Sequence, residues 1–152
     1  MGLPLDAAHL PELRRAGVEI AHAVETLQEI PRPLDPIMQE IAGTIFTGPP
    51  RDDAADLRSV TVFADGQVDR SPSGTGTAAV MAVIDAMGML ASDRPFVQES
   101  LIGTRLNGRL AGRTMVGEQQ AIVPEIEGAA WITGEHTFLV PEGDPLRNGF
   151  RI

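Results

Sequence analysis

Between Asp65 and Leu90 the chain reads DGQVDRSPSGTGTAAVMAVIDAMGML, with carboxylates, a guanidinium and two serine hydroxyls just ahead of closely spaced glycines and a long apolar run. If a helix begins at Gly76 or Thr77, the N–H groups of Gly74, Thr75 and Gly76 have no intrahelical acceptors and point outward with the positive end of the helix dipole. Such a terminus suits a carboxylate or phosphate, and glycines at 74 and 76 let a ligand come close to the backbone. Pro72 stiffens the approach, Ser73 turns a hydroxyl toward whatever anion the amides hold, and Asp69 offers a carboxylate to a cationic group on the same ligand. Donors for an anion beside an acceptor for a cation fit a zwitterionic amino acid. The same residue types also make turns and N-caps, so Asp69, Ser71, Ser73 and Thr75 fit a purely structural loop as well. A nucleotide-binding P-loop does not fit, because the second glycine is not followed by Lys-Ser or Lys-Thr.

The elements that must position this loop are short. From Leu10 onward, Leu13, Ile20, Val24 and Leu27 recur at helical spacing between charged residues, which predicts an amphipathic surface helix ending before IPRPLDP, where Pro31, Pro33 and Pro36 make a connector. GTIFTG reads as a strand, as does Ser59 to Ala64, where Val60 and Val62 alternate with Thr61 and Phe63; a turn at Asp65-Gly66 leads to a second short strand at Gln67-Val68. Gly76 to Leu90 is apolar all round, so the helix is expected to be buried on most sides. From Glu99 to Val140, short β-like runs punctuated by glycine predict an antiparallel meander with Trp131 and Phe138 in the core and His136 bonded within its strand. One apolar helix among many strands implies an α+β unit in which an antiparallel sheet wraps around that helix.

Composition removes several classes. Among 152 residues, a formal net charge of −9 argues against non-specific binding to nucleic acid or anionic membranes, which needs a basic patch. There is no cysteine, which rules out disulfides, thiolate metal sites and a cysteine nucleophile on this chain. His9, His22 and His136 lack metal-ligand spacing, so no metal site is expected. Arg105, Arg109 and Arg113 are spaced by four, but Gly103, Gly108 and Gly112 argue for solvent-facing strand and turn positions rather than a helical basic face. The amino terminus has no basic stretch followed by an apolar core, and no apolar run could span a bilayer, so the expected location is the cytoplasm.

DRSPSGTGTAA resembles the second active-site motif of the proline racemase family, which includes hydroxyproline epimerases and trans-3-hydroxy-L-proline dehydratases. FADGQ before it, and ESLIGT, AIVPEIEGAAWITGEHTF and DPLRNGF after it, are similar to the family in family order. The resemblance implies a diaminopimelate-epimerase-like fold of two lobes, each a sheet around a central apolar helix, with the imino acid closed between them. It also implies cofactor-independent chemistry in which one residue of each lobe faces the substrate Cα. By motif match, Ser73 takes this lobe's acid/base position, Gly74 and Thr75 supply carboxylate-binding amides, and Asp69 binds the substrate nitrogen.

The chain departs from the family pattern twice. The other motif, Cys- or Ser-Gly-His, is absent, so residues 1–152 are expected to form a single carboxyl-terminal lobe that is inactive until it meets an amino-terminal lobe or self-associates. Ser73 also stands where racemases carry cysteine, and an aliphatic hydroxyl is a far weaker base than a thiol near pKa 8.5. Dehydration of a 3-hydroxyproline returns no proton to Cα, and the dehydratases of the family resemble this chain in having a hydroxyl residue there, commonly threonine. The resemblance therefore leans toward trans-3-hydroxy-L-proline dehydratase. Proline racemase, 4-hydroxyproline 2-epimerase and a non-catalytic binding remnant are the alternatives.

Overall fold

The structure is a computed structural model that describes residues 2–27 and 40–149; the connector bearing Pro31, Pro33 and Pro36 lies outside the described residues. The amphipathic segment forms helix α1 (Leu10–Leu27), preceded by a single 3-10 turn whose Asp6 side chain accepts the His9 N–H. α1 buries Leu13, Gly17 and Ala21, a seam at four-residue spacing, while Val24 and Leu27 of the expected stripe are exposed. Gly17 sets how closely the helix sits, because a Cβ there would lie 2.7 Å from the Cβ of Val62. Thr44 Oγ1 donates to the Gly17 carbonyl at 2.7 Å and ties the helix to the sheet.

That sheet has five strands in spatial order β1 (Gly43–Gly48), β2 (Leu57–Phe63), β3 (Phe96–Ser100), β4 (Arg105–Val116) and β5 (Gln119–Gly128). It is mixed rather than wholly antiparallel, because β2 and β3 run parallel. The reason is the connection between them: it contains helix α2 (Gly74–Ala86), and parallel neighbours need such a crossover. Alternation along β2 turns Val62 toward α1 and Thr61 toward α2, so the helices lie on opposite faces.

Under α2 the core consists of Val80, Met81 and Phe96, with Leu57, Ile84, Ile122 and Ile126 packed around them. The α+β class and the apolar helix packed on a sheet are as expected, but the helix is covered on one side only. Gly76, Thr77, Val80 and Met81 are buried, whereas Val83 and Met87 face solvent, since among the described residues no second layer lies over them. The meander also stops early. Among the described residues no strand follows Gly128, and Trp131 and Phe138, expected in the core, are 86% and 85% exposed because no neighbouring strand there pairs with that segment. His136 is exposed and outside any strand, its ring tilted against that of Phe138. Arg105, Arg109 and Arg113 do lie on β4 facing solvent, paired with Asp52, Glu125 and Asp85.

Candidate active site

The loop that enters α2 is laid back along β2. After Phe63 the chain reverses through Gly66, whose φ of 79° belongs to the left-handed region that glycine adopts without strain. Phe63 N–H donates to the Gln67 carbonyl at 2.8 Å, and Val68 returns to bridge Val62, so the expected second strand is one bridge. Asp69 N–H then donates to the Thr61 carbonyl at 3.1 Å. Asp69 Oδ1 accepts both the Ser71 N–H at 2.9 Å and the Ser71 hydroxyl at 3.0 Å, and Ser71 Oγ in turn accepts the Ser73 N–H at 3.0 Å.

Ser73 is the N-cap, which is why α2 starts at Gly74, two residues before the earliest expected position. Its Oγ accepts the Gly76 N–H at 3.2 Å, and its carbonyl accepts both the Thr77 N–H at 2.8 Å and the Thr77 hydroxyl at 2.7 Å. The Gly76 amide is therefore engaged, and the donors ahead of the helical ladder are those of exposed Gly74 and Thr75. Among the described residues Ser73 is the only non-glycine with positive φ, at 66° with ψ 122°, a sparsely populated conformation costing about 1–3 kcal/mol. The cap and carbonyl bonds offset that strain.

Although only 7% exposed, Ser73 borders a hollow of about 250 Å³ with largely apolar walls that include Ile45, Phe63 and Ala79. Thr61, Thr75 and Gly76 also line it, and the buried Thr61 hydroxyl has no hydrogen-bond partner among the described residues. Of the four residues singled out from the sequence, Ser73 and Thr75 meet at this hollow and Gly74 lies between them in the chain. Asp69 stands outside the lining, turned to Ser71. The N–H of Gly76 directed at Ser73 Oγ favours negative charge on that oxygen, which makes the hydroxyl a better proton donor and a weaker base. Apolar walls strengthen such interactions by excluding water.

Sequence reasoning missed what lies beneath the loop. Gln98, wholly buried on β3, donates from Nε2 to Ser59 Oγ at 2.7 Å and to the Pro72 carbonyl at 3.2 Å. The available signal was a glutamine between Phe96 and Ser100 on the inward face of FVQES, where an apolar residue is the usual occupant. Among the described residues no group of three His, Asp or Glu converges as a metal site would, and no helix is long and apolar enough to cross a membrane.

Comparison with known proteins gives this geometry its context. The chain matches the proline racemase family over residues 1–151. It is 40% identical over 149 residues to a trans-3-hydroxy-L-proline dehydratase of Bacillus cereus and 41% identical over 150 residues to a 4-hydroxyproline 2-epimerase of Streptosporangium roseum. To a proline racemase of Acetoanaerobium sticklandii it is 36% identical over 152 residues. These alignments cover 98%, 99% and 100% of this chain but 45% of each relative, so the chain spans less than half the length of the curated relatives it matches. A crystal structure of a hydroxyproline epimerase from Agrobacterium vitis with bound trans-4-hydroxy-L-proline superposes with a TM-score of 0.78 at 28% identity, covering 99% of this chain and 43% of that one. With sequence and fold in agreement along nearly its whole length, the chain belongs to the proline racemase family.

Proposed function

We propose that this chain is the carboxyl-terminal lobe of a two-lobed, cofactor-independent enzyme that acts at the Cα of an imino acid, as a trans-3-hydroxy-L-proline dehydratase. The observation that carries the reading is Ser73, held in a strained conformation at the rim of an apolar hollow, one residue before two N-terminal amides of α2. In this reading the substrate carboxylate accepts the N–H groups of Gly74 and Thr75, and the ring lies against Ile45, Phe63 and Ala79. Asp69 meets the ring nitrogen through the carboxylate oxygen that Ser71 does not occupy.

Support for a lyase comes from the hydrogen bonding of Ser73. Its oxygen already accepts the Gly76 N–H, and no carboxylate or imidazole among the described residues bonds it to take up its proton, so it makes a poor second base. Dehydration needs only one. A base on the opposing lobe removes the Cα proton, and the C–H electron pair forms the C2=C3 double bond as the C3–O bond breaks. The leaving hydroxide takes the proton back from that base and departs as water, and the resulting enamine is pyrroline-2-carboxylate. The uncovered side of α2, with Val83 and Met87, and the exposed Trp131, Ile132, Phe138 and Leu139 fit a surface closed by the remaining half of such an enzyme.

A non-catalytic carboxylate-binding module is the second reading, favoured by the same cap, which gives Ser73 a complete structural role. The two are separated by incubating the chain, alone and with the complementary half of a family relative, with trans-3-hydroxy-L-proline and separately with L-proline in D₂O. Water loss only in the mixture supports the dehydratase. Cα deuterium exchange with inversion would make it an isomerase, and no turnover in a demonstrated complex would leave the binding module.

A further inference from the structure

We propose that Gln98 is a positioning residue that fixes Ser73 in its strained backbone conformation. The peptide unit between Pro72 and Ser73 is rigid, and it is gripped at both ends: Gln98 Nε2 holds its carbonyl at 3.2 Å and Ser71 Oγ holds its N–H at 3.0 Å. With that plane set and the Ser73 carbonyl held by Thr77, the rotation about the Ser73 N–Cα bond has little freedom left. The φ of 66° is the rotation that satisfies both grips.

The chemistry of the amide favours a grip over simple packing. A carbonyl can only accept, so the Gln98 amino group must face Pro72, while its second N–H goes to Ser59 Oγ. Its Oε1 is buried with no hydrogen-bond partner among the described residues. A half-satisfied amide in a core is costly, and a methionine would fill the same space without that cost. What the methionine would lose is the hold on Pro72. Sequence position gives Gln98 no local link to the loop, since it lies on β3 beyond the whole of α2.

This inference rests on the reading in which Ser73 faces the substrate beside the amides of α2, but its test needs no turnover, so the two can fail separately. Ser73→Cys puts a single thiol into a chain that has no other cysteine. The pH profile of its alkylation by iodoacetamide then reports how well position 73 is aligned with the helix terminus. In the Ser73→Cys chain the profile should have its midpoint below the ordinary thiol value of about 8.5, and adding Gln98→Met should move it up by about one pH unit while the protein stays folded. Identical profiles in the two folded proteins would overturn the proposal. If the Gln98→Met chain does not fold, Gln98→Leu, which also removes the donor to the Pro72 carbonyl, serves instead: an upward shift supports the grip and an unchanged profile refutes it.

Discussion

Replacing Ser73 by glycine should stabilise the chain relative to replacing it by alanine, in the order usual for an N-cap but by a margin that the positive φ widens. Alanine keeps the positive φ and loses the cap, which at an Oγ to N distance of 3.2 Å contributes about 1 kcal/mol. Glycine also loses the hydroxyl but is tolerated at an N-cap at a cost of a few tenths of a kcal/mol, and it escapes a left-handed penalty of about 1–2 kcal/mol. Against this stands the greater freedom of glycine in the unfolded chain, about 0.4–1 kcal/mol. Together these place Ser73→Gly close to the parent and Ser73→Ala about 1–2 kcal/mol below the glycine variant, a separation of about 3–6 °C in Tm for a chain of this size. Urea unfolding followed by far-UV circular dichroism at neutral pH measures both. Equal stability of the two variants, or a more stable alanine, would show that Ser73 does not occupy the left-handed region and would remove the strain from the account of the site.

Two further perturbations test the frame around it. Asp56 receives two bonds from Arg94, at 2.6 and 3.1 Å, and the Val97 N–H at 2.8 Å; chiefly through Arg94 its carboxyl is held below the ordinary 3.8. The stability this provides is present above the unfolded value and lost as pH falls through the lower folded one, so Asp56→Asn should cost no more than about 1 kcal/mol at pH 7, with a gap that closes below pH 3.8; a gap independent of pH in urea titrations would contradict the ion pair. Gly17→Ala should lower stability although alanine favours helix by about 1 kcal/mol, because overpacking against Val62 costs about 1–3 kcal/mol. A double-mutant cycle with Val62→Ala should recover part of the loss, and strict additivity would mean that α1 does not rest on Val62.

What could be read from the chain follows the range of the interactions involved. The strand through Val60 and Val62 shows its period of two directly, the one at Gly43–Gly48 is a β-prone run bounded by glycines, and Leu10 opens α1 where the helical spacing opens. The start of α2 is misplaced by composition alone, because Ser73 reaches forward to cap Gly76. The parallel pairing of β2 and β3 depends on where the crossover returns the chain, which period does not encode. Trp131 and Phe138 are residue types that strands favour, but a strand also requires a neighbour, and sequence says nothing about whether one is present. At the site, Ser73, Gly74 and Thr75 were legible as residue types before a helix. Thr61, Phe63 and Gln98 come to the same place only through the sheet.

The β2–β3 pairing joins residues farther apart in the chain than any other pairing in the sheet, and the loop it closes contains the whole of α2 and its cap. Such long-range closure is the entropically expensive and slow part of forming a sheet. Gln98 faces Pro72 only once Leu57 and Gln98 are register partners, so the alignment of Ser73 is completed by the same event that completes the sheet. A destabilising change elsewhere in the sheet would then act on the number of molecules possessing a site rather than on the quality of the site in each. Loss of function in such variants would track the folded fraction, molecule by molecule, with no graded intermediate.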